Sequence, residues 1–314
     1  MKVLGIESTA HTFGLGVIEN NKIVKNIKYT SKILGNVHPR EVAYEHQKII
    51  PHLLDQIEKY DFDVIGYSKG PGMGFCLKNG YIVAKTISNY LNVPLVAVNH
   101  CVAHIEIGKF LFDLKDPLVL YVSGANTQII GLYKNRYRVY GETLDIGLGN
   151  LLDNFGRKLG LKFPCGPKIE ELAKKAKKYI ELPYSVKGND LVFSGLLTAA
   201  YKKIGKFDPE DLCYSLQETA FSMVAEVFER ILAHTKKREV LLVGGVAANK
   251  RLQEMIRDVA DDHNARFEVV PLEYAGDNGV MIAVTAMNMF RSGYIPKDEK
   301  PDQYFRIDQE IIKW

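Results

Sequence analysis

An internal repeat constrains the fold of this chain more than any other feature. Residues 2–30 predict three short strands joined by tight turns, because apolar residues alternate within each stretch and Asn, Gly or small polar residues separate them. Residues 118–143 repeat this plan, with the strands LVLYV, QIIGLY and YRVYGET separated by the turns SGANT and KNR. The matching lengths, order and turn chemistry indicate two related halves.

The helices and strands that follow each three-stranded meander also recur in one order. Helix, strand, helix, strand and helix patterns follow the first meander. The second meander is followed by extra helical sequence, through PKIEELAKKAKKY and CYSLQETAFSMVAEVFERILAHT, and then by strand, helix, strand and helix. Each half is therefore predicted to be a βββαβαβα unit of an α/β fold. We place the halves at residues 1–112 and 113–314, with the last helix and tail able to pack back on the first half.

Two such halves facing each other across a cleft describe the two-lobed actin-like ATPase fold of actin, Hsp70 and sugar kinases. In that fold the first hairpin turn of each half, here ESTAHT and SGANT, offers backbone N–H groups to the phosphates of a nucleotide. Two unrelated α/β domains with ordinary hairpin turns remain the alternative.

Charge, hydropathy and cysteine content exclude several classes of protein. The 41 Lys and Arg residues exceed the 37 Asp and Glu residues by only four in 314, which is too little to indicate nucleic-acid binding by itself. No apolar run reaches the ~18–20 residues of a membrane span, and the N-terminus lacks the pattern of a signal peptide. Four scattered cysteines without a CxxC motif predict reduced thiols. We therefore expect a cytoplasmic protein with no membrane association.

The stretch NHCVAHIEIG places His100 and His104 four residues apart. In a helix both imidazoles share one face and can reach one metal ion. Metalloproteases of the HExxH type have the same spacing, but they need a Glu after the first His as general base. Cys101 occupies that position, which argues strongly against peptide hydrolysis.

Asp277, in the stretch YAGDNG, is the candidate third donor. It follows the strand FEVVP, at the edge of the sheet where α/β proteins bind ligands. Two imidazoles and one carboxylate favour Fe(II) or Zn(II), because imidazole is a poor ligand for hard cations. Histidines that only cap a helix, together with an aspartate in an ordinary turn, remain the alternative interpretation.

Two further stretches are candidates for a nucleotide site. VLLVGGVAANK predicts a buried strand, a glycine pair and a helix that begins near Asn249, so that this side chain can reach a sugar or a base. LLDNFGRKLGLKFPCGPKIEEL places Asp153 on one helix and Gly166 and Glu170 at the start of another. These carboxylates can bind ribose hydroxyls, although acidic residues are also expected in the first turn of any helix.

Many stretches of the chain resemble one family from end to end. NHCVAHIEIG, LYVSGANTQ, GETLDIGLGNLLDNFGR, VFSGLLTAA, CYSLQETAFSM, LVGGVAANKRL and GDNGVMIA are similar, in this order, to the Kae1/TsaD/Qri7 family in its archaeal and eukaryotic Kae1 branch. The resemblance implies an actin-like ATPase fold. It also implies transfer of threonylcarbamoyl from threonylcarbamoyl-AMP to N6 of adenosine 37 in tRNAs that read ANN codons, which makes t6A. The implied partners are tRNA and the KEOPS subunits Bud32, Pcc1 and Cgi121.

The same resemblance assigns roles to individual residues. It implies one divalent metal ion, Fe(II) first and Zn(II) second, held by His100, His104 and Asp277 with Tyr121 on or near the ion. It implies contacts to an adenine nucleotide from residues in both candidate stretches and in the second hairpin turn: Tyr121, Val122, Ser123, Gly124, Ala125, Asp153, Gly166, Glu170 and Asn249.

The chain departs from the family pattern in its turn chemistry. Ala125 replaces the second glycine of SGGNTQ, which crowds the approach of a phosphate and disfavours a positive φ. DNFGR and YAGDNG also differ from the usual DxFAR and CGDNG, without changing a carried-over ligand. No residue stands out as the general base, which we leave unassigned. A metal-dependent protease, an actin-fold small-molecule kinase and a non-catalytic tRNA scaffold are the rival functions.

Overall fold

A computed structural model describes residues 1–31, 38–296 and 300–314. The chain divides into two compact units. Unit 1 comprises residues 1–111, 134–137 and 276–314, and unit 2 comprises residues 112–133 and 138–275. Within the described residues, no helix is long and apolar enough to cross a membrane.

A five-stranded sheet is the framework of unit 1. Its first three strands form an antiparallel meander, and two further strands lie parallel to the first, which gives the order β3-β2-β1-β4-β5. The elements are β1 (Lys2–Glu7), β2 (Thr12–Glu19), β3 (Lys22–Thr30), α1 (Pro39–Leu54), β4 (Val64–Gly70), α2 (Gly74–Leu91), β5 (Leu95–Asn99) and α3 (His100–Phe112).

The remaining elements follow in chain order and, except for the last helix, belong mainly to unit 2. They are β6 (Leu118–Val122), β7 (Thr127–Tyr133), β8 (Arg136–Glu142), α4 (Leu148–Lys158), α5 (Gly166–Ala173), β9 (Val186–Lys187), β10 (Asp190–Leu191), α6 (Ser194–Lys203), α7 (Pro209–Thr235), β11 (Glu239–Val243), a 3₁₀ turn (Gly245–Ala248), α8 (Lys250–Asp262), β12 (Arg266–Val269), α9 (Leu272–Ala275) and α10 (Gly279–Arg291).

The predicted duplication is confirmed by the second sheet, whose order is β12-β11-β6-β7-β8. Read from the meander outward, β8, β7, β6, β11 and β12 occupy the places of β3, β2, β1, β4 and β5. The second half differs by an insertion from α4 to α7 between its meander and its fourth strand. This insertion supplies much of the apolar core of unit 2.

One helix of the insertion is shorter than its sequence pattern predicts. A helix was expected through AKKAKKY, but α5 ends at Ala173. The carboxylate of Asp211 accepts hydrogen bonds from the backbone N–H groups of Lys177 and Lys178. These bonds satisfy the backbone outside a helix, so the expected continuation is wrong.

α10 packs on the sheet of unit 1, against β1, β2 and β4. Glycines allow this contact at backbone distance. A Cβ atom added to Gly5 would lie 2.2 Å from the backbone nitrogen of Ala283, and one added to Gly16 would lie 2.1 Å from that of Val280. The helix therefore lies directly on the strands, and the loop before it is fixed in unit 1.

Candidate metal and nucleotide sites

The two histidines lie on α3, which begins where β5 ends. The side-chain oxygen of Asn99, the last residue of β5, accepts hydrogen bonds from the N–H groups of Cys101 and Val102 at 3.0 and 3.1 Å. Asn99 therefore caps the helix at its first turn, where N–H groups have no partner within the helix. The expected helical spacing of His100 and His104 is confirmed.

Asp277 lies against both imidazoles, just before α10. Its Oδ1 atom is 3.6 Å from Nε2 of His100 and 3.4 Å from Nε2 of His104. The histidines are buried, whereas Asp277 keeps 27% of its side-chain surface exposed. All three residues belong to unit 1. The expectation that the histidines and the aspartate come from different halves, so that an ion joins the two, therefore differs from the structure.

The three side chains fit a shared metal ion. Their ligand atoms all lie within 4.8 Å of one another. Two donors that each bind Zn(II) at roughly 2.1 Å in tetrahedral geometry are roughly 3.4 Å apart, close to the two distances to Asp277. The ring planes of the histidines are nearly perpendicular, at 89°, so both nitrogens can face one point from different directions.

Glu7 is a member of this site that sequence reasoning missed. Its Oε2 atom lies 2.9 Å from Nδ1 of His100, and its Oε1 atom accepts hydrogen bonds from the N–H and the hydroxyl of Thr9. The Glu7 side chain is fully buried. A carboxylate on the second nitrogen of a ligand histidine orients the ring and makes the first nitrogen a better donor. The only sequence signal was an acidic residue closing an apolar strand.

The buried charges change the protonation of the three donors in opposite directions. Burial alone lowers the pKa of His100, but the Glu7 carboxylate, with help from Asp277, raises that pKa to about 9. Burial lowers the pKa of His104, and the charge on His100 adds to this effect. Burial also acts on Asp277, yet the two histidines hold its pKa below the ordinary value. A neutral imidazole and an ionised carboxylate are the forms that bind metal.

Cys101 follows the first histidine in the sequence, and Tyr121 is the fourth metal ligand that the family resemblance implies. Burial raises the pKa of the Cys101 thiol to about 12, so this side chain is a protonated thiol and a poor ligand. Tyr121, expected on or near the metal, is a buried residue at the end of β6 in unit 2. Its hydroxyl accepts a hydrogen bond of 3.5 Å from Asn126. A role for Tyr121 as a ligand stays a prediction.

The turn between β6 and β7 has the features of an anion-binding turn. The carbonyl groups of Ser123 and Gly124 accept hydrogen bonds from the N–H groups of Gly149 and Asn150, in the first turn of α4. Within the part of the chain that the structure describes, the N–H groups of Gly124 and Ala125 have no hydrogen-bond partner, and both residues are exposed. Two successive backbone donors are thus available to a phosphate.

In the first hairpin turn, the two backbone donors that follow Glu7 are occupied. The N–H of Ser8 donates to the hydroxyl of Ser68, and the N–H of Thr9 donates to Glu7. Thr9 therefore supports the carboxylate that contacts His100, and these two N–H groups are not open to a phosphate. They differ in this from the N–H groups of Gly124 and Ala125.

Ala125 does not strain its turn. Among the described residues with a positive φ, neither Gly124 nor Ala125 is found. The sequence suggested that alanine would disfavour a positive φ at position 125, but the turn does not require a positive φ there. The backbone that packs closely against this turn is that of Gly147, where an added Cβ would lie 2.3 Å from the carbonyl oxygen of Gly124.

The glycine pair after β11 lies beside this turn, because β6 and β11 are parallel neighbours and Tyr121 pairs with Val243. Gly244 has a φ of +95°, and an added Cβ would lie 2.2 Å from the carbonyl oxygen of Val122. Gly245, in contrast, has nothing within 4 Å of its Cβ position. Gly244 is thus required by the close approach of the two turns, and Gly245 leaves an open face for a ligand.

Asn249 and Glu170 meet at the start of α8. The side-chain oxygen of Asn249 accepts hydrogen bonds from Arg251 and Leu252, and Oε1 of Glu170 accepts one from the N–H of Lys250 at 3.0 Å. Both side chains therefore have a structural role, because they cap the start of α8. Glu170 also lines a cavity of about 300 Å³, a size at the lower end for small-molecule sites.

The carboxylate of Asp153 also accepts a backbone hydrogen bond at the start of a helix. It lies on α4, and its Oδ1 atom accepts a hydrogen bond of 2.7 Å from the N–H of Cys165, directly before α5. Burial raises the pKa of Asp153, although this bond and another from Gly166 oppose the change. Asp153 and Gly166 thus meet at the start of α5, and neither lines the cavity next to Glu170.

Comparison with known proteins decides the family. The family model of TsaD, tRNA N6-adenosine threonylcarbamoyltransferase, matches residues 18–284. The tRNA N6-adenosine threonylcarbamoyltransferase of Thermococcus sibiricus is 48% identical over 325 residues, which cover 100% of both chains. The chain belongs to the TsaD family.

Relatives of the TsaD family also occur within longer proteins. The probable bifunctional tRNA threonylcarbamoyladenosine biosynthesis protein of Methanosarcina acetivorans is 48% identical, and the match covers 99% of this chain and 59% of that protein. The chain therefore corresponds to one part of the bifunctional protein.

Solved structures place this TsaD family member in the actin-like ATPase and sugar-kinase fold, as expected. Thermococcus kodakarensis HypF matches with a TM-score of 0.66 at 19% identity, over 95% of this chain and 48% of that one. A ROK family glucokinase from Streptomyces griseus, in complex with glucose and AMPPNP, matches with a TM-score of 0.52 at 11% identity, over 91% and 99% of the chains. At these identities the likeness concerns the fold alone.

Proposed function

We propose that this chain is a tRNA N6-adenosine threonylcarbamoyltransferase, which transfers threonylcarbamoyl from threonylcarbamoyl-AMP to N6 of adenosine 37 in ANN-decoding tRNAs. The observation that carries the proposal is 48% identity over the whole length of both chains to a relative of that name. The cluster of His100, His104 and Asp277 supports it, because the family resemblance assigned the same residues to a metal ion.

The proposed metal ligands are His100, His104 and Asp277, and the family resemblance adds Tyr121 as a fourth. Fe(II) is the first choice and Zn(II) the second, because two imidazoles suit these ions better than Mg(II) or Ca(II). When bound, such an ion supplies Lewis-acid stabilisation of an oxygen that gains negative charge. Glu7 orients His100 toward the ion, and the burial of both histidines keeps water from competing for their nitrogens.

The proposed nucleotide contacts come from unit 2. The N–H groups of Gly124 and Ala125 bind the phosphate of the adenylate, and Tyr121, Val122 and Ser123 complete this turn. Asp153, Gly166, Glu170 and Asn249 lie on the nucleoside side. The capping bonds of Asn249 and Glu170 keep α8 in place, so these residues order the site even where their oxygens do not touch the ligand.

The reaction needs positioning more than strong acid–base catalysis. The acyl donor is a mixed anhydride, so AMP is a good leaving group when N6 of the adenosine attacks the carbamoyl carbon. The proton lost from N6 goes to a base that we leave unassigned. Holding threonylcarbamoyl-AMP and the target adenosine of the tRNA together supplies the larger part of the rate enhancement.

We further propose that tRNA, Bud32, Pcc1 and Cgi121 are partners, as in the KEOPS complex. The bifunctional relative from Methanosarcina acetivorans supports a second activity that acts together with this one. A net charge of +4 offers few phosphate contacts, so the isolated chain should bind tRNA weakly. The partners should supply the rest of the basic surface, and tRNA binding should then fall steeply as the salt concentration rises. The cytoplasmic location expected from the sequence stays a prediction.

A t6A assay tests the function. Purified tRNA, threonylcarbamoyl-AMP and the chain reconstituted with its proposed partners should yield t6A, and His104→Ala should abolish it. His52→Ala is the matched control, because His52 is an exposed histidine on α1 of the same unit. Equal t6A formation by the wild type and His104→Ala would contradict the proposed site. No t6A from the wild type with all partners and loaded metal would contradict the function.

A further inference from the structure

Residues 300–314, called here the strap, run along unit 1 without forming a long helix or a strand. Near its start the strap contacts the end of β4, where the N–H of Asp302 donates to the carbonyl of Lys69 at 2.9 Å. Near its other end, the N–H of Ile312 donates to the carbonyl of Asn135 at 2.8 Å. The strap is also bonded to Asn99, directly before the helix that carries the two histidines, and to Glu106 on that helix.

Asn99 makes the first of these bonds. Its side-chain nitrogen donates to the carbonyl oxygens of Phe305 and Arg306 at 3.3 and 3.2 Å, while its oxygen caps α3. The side chain is 1% exposed, so all of its polar atoms depend on these partners. One amide thus ties the strap to the first turn of α3, directly before His100.

Glu106 makes the second connection, two residues after His104. Its Oε2 atom accepts hydrogen bonds from the indole N–H of Trp314 at 2.9 Å and from Asn288 of α10 at 3.2 Å. Lys109 and Tyr137 donate to its other oxygen. Glu106 is 1% exposed, so these donors, rather than water, stabilise its charge. The Trp314 ring also stacks on Tyr294, with centroids 6.2 Å apart.

We propose that the strap positions α3 for metal binding, with Asn99 and Trp314 as the positioning residues. Its two attachments enclose both histidines in the sequence, because Asn99, the last residue of β5, precedes His100 and Glu106 follows His104. A buried amide and a buried carboxylate fix the direction of the helix more sharply than apolar contacts, since each has one satisfying arrangement. The inference rests on the proposed metal site and extends it to residues that touch no ligand.

Three substitutions remove hydrogen bonds of the strap and keep either the cap of α3 or the aromatic contact with Tyr294. Asn99→Ser keeps a good helix cap and loses the donor to the strap. Asn99→Asp also keeps the cap, but it turns a carboxylate oxygen toward the carbonyls of Phe305 and Arg306. Trp314→Phe keeps an aromatic ring next to Tyr294 and removes the donor to Glu106.

The full-length chain, stripped of metal and titrated with Zn(II) alone, gives the decisive measurement. We expect each of the three variants to raise the Zn(II) dissociation constant by roughly 10-fold, at the lower end of the range for groups that orient metal ligands. The visible absorption spectrum of the Co(II)-loaded protein should also change, because ligand geometry sets its bands. A purely structural role would lower stability and leave that spectrum unchanged.

Two further variants make the outcome decisive. Leu53→Ala removes a buried side chain from the core of unit 1, and Leu53 is not one of the strap's bonding partners, so it controls for general destabilisation. His104→Ala tests the metal site itself. If His104→Ala loses Zn(II) but the Asn99 and Trp314 variants bind it as the wild type does, the strap proposal is wrong and the metal site stands. The strap proposal is also wrong if Leu53→Ala weakens Zn(II) binding equally. Unchanged binding in His104→Ala would overturn both.

Discussion

Glu7 and His100 form a buried pair, with Oε2 of the carboxylate 2.9 Å from Nδ1 of the imidazole. The pair joins the end of β1 to the start of α3, so the first strand of the chain sets the direction of a side chain about ninety residues later. With Nδ1 engaged by Glu7, Nε2 is the nitrogen that faces Asp277. This relationship decides which nitrogen of His100 can bind an ion.

Replacing Glu7 should weaken metal binding without removing a ligand. Glu7→Gln keeps the size of the side chain and removes its charge, so the pKa of His100 should fall and its Nε2 should become a poorer donor. We expect the dissociation constant for Zn(II) to rise roughly 10- to 100-fold, the usual range for a partner behind a ligand. Isothermal titration of the metal-free chain measures it. Glu45→Gln, on α1, provides a carboxylate control, and equal affinities for both variants would contradict the role of Glu7.

Loss of a donor should have a larger effect than loss of its partner. Asp277→Asn preserves shape and removes the charge that suits a divalent cation, so metal should be lost or become labile. We expect the dissociation constant to rise by more than roughly 100-fold, beyond the range for Glu7. The far-ultraviolet circular dichroism should be unchanged, because the core of unit 1 is apolar and does not include Asp277. Full metal occupancy by elemental analysis would contradict the assignment.

The proximity of His100, His104 and Asp277 was predictable from the sequence, and the contact of Glu7 with His100 was not. His100 and His104 share a helix, so spacing alone places their rings together, and Asp277 follows a strand at an edge that commonly binds ligands. Glu7 is brought to His100 by the pairing of β1 with β4 and of β4 with β5. Contacts made through the register of a sheet leave no spacing along the chain by which they could be found.

The nucleotide proposal predicts a separate effect in unit 2. Glu170→Ala removes a carboxylate that lines the cavity and accepts the N–H of Lys250, so AMP should bind about 10-fold more weakly, the equivalent of one lost hydrogen bond to a charged group. The metal content should stay at the wild-type level. Glu171→Ala is the control, because Glu171 is the exposed neighbour on the same helix. If calorimetry gives the same AMP affinity for the wild type, Glu170→Ala and Glu171→Ala, Glu170 does not belong to the nucleotide site.

The contact of α10 with the sheet predicts a strong asymmetry between two glycines. Gly16→Ala would place a methyl group 2.1 Å from the backbone nitrogen of Val280, which cannot move without the whole helix. We expect the free energy of unfolding to fall by about 3 kcal/mol or more. Gly195→Ala, on α6, meets nothing within 4 Å and should be neutral or stabilising by up to about 1 kcal/mol. Urea denaturation compares the two, and similar midpoints would contradict the packing.

Asp145 should make the stability of unit 2 depend on pH in the acidic range. Burial acts to raise its pKa, but hydrogen bonds from Ser194, Phe193 and Ile146 outweigh this and lower the pKa to about 2. A lowered pKa means that the stabilisation is complete above the ordinary value of 3.8 and is lost as pH falls toward 2. The difference in melting temperature between the wild type and Asp145→Asn should therefore be constant above about pH 5 and shrink below about pH 4. A difference independent of pH would contradict the assigned cause.

The fold was more predictable than the boundaries within it. The repeated meanders determine the order of both sheets, because alternation and turn residues act locally. The end of α5 was not predictable, since Asp211 attracts the backbone of Lys177 and Lys178 from a helix further along the chain. The contact of α10 was signalled only weakly, by glycines at alternate positions of β2 such as Gly14 and Gly16. Their meaning depends on a helix that the strand itself cannot specify.

The discontinuous course of unit 1 has a consequence for biosynthesis. Residues 112–275 separate most of this unit from the loop and helix that complete it, apart from the short return at 134–137. At ~5–20 residues per second, the ribosome needs on the order of ten seconds or more to cover that interval. During this time β1 and β2 have no α10 to cover their glycines, whereas unit 2 can finish folding. A nascent chain interrupted before Asp277 lacks the carboxylate, so truncated products should release metal that the finished protein retains.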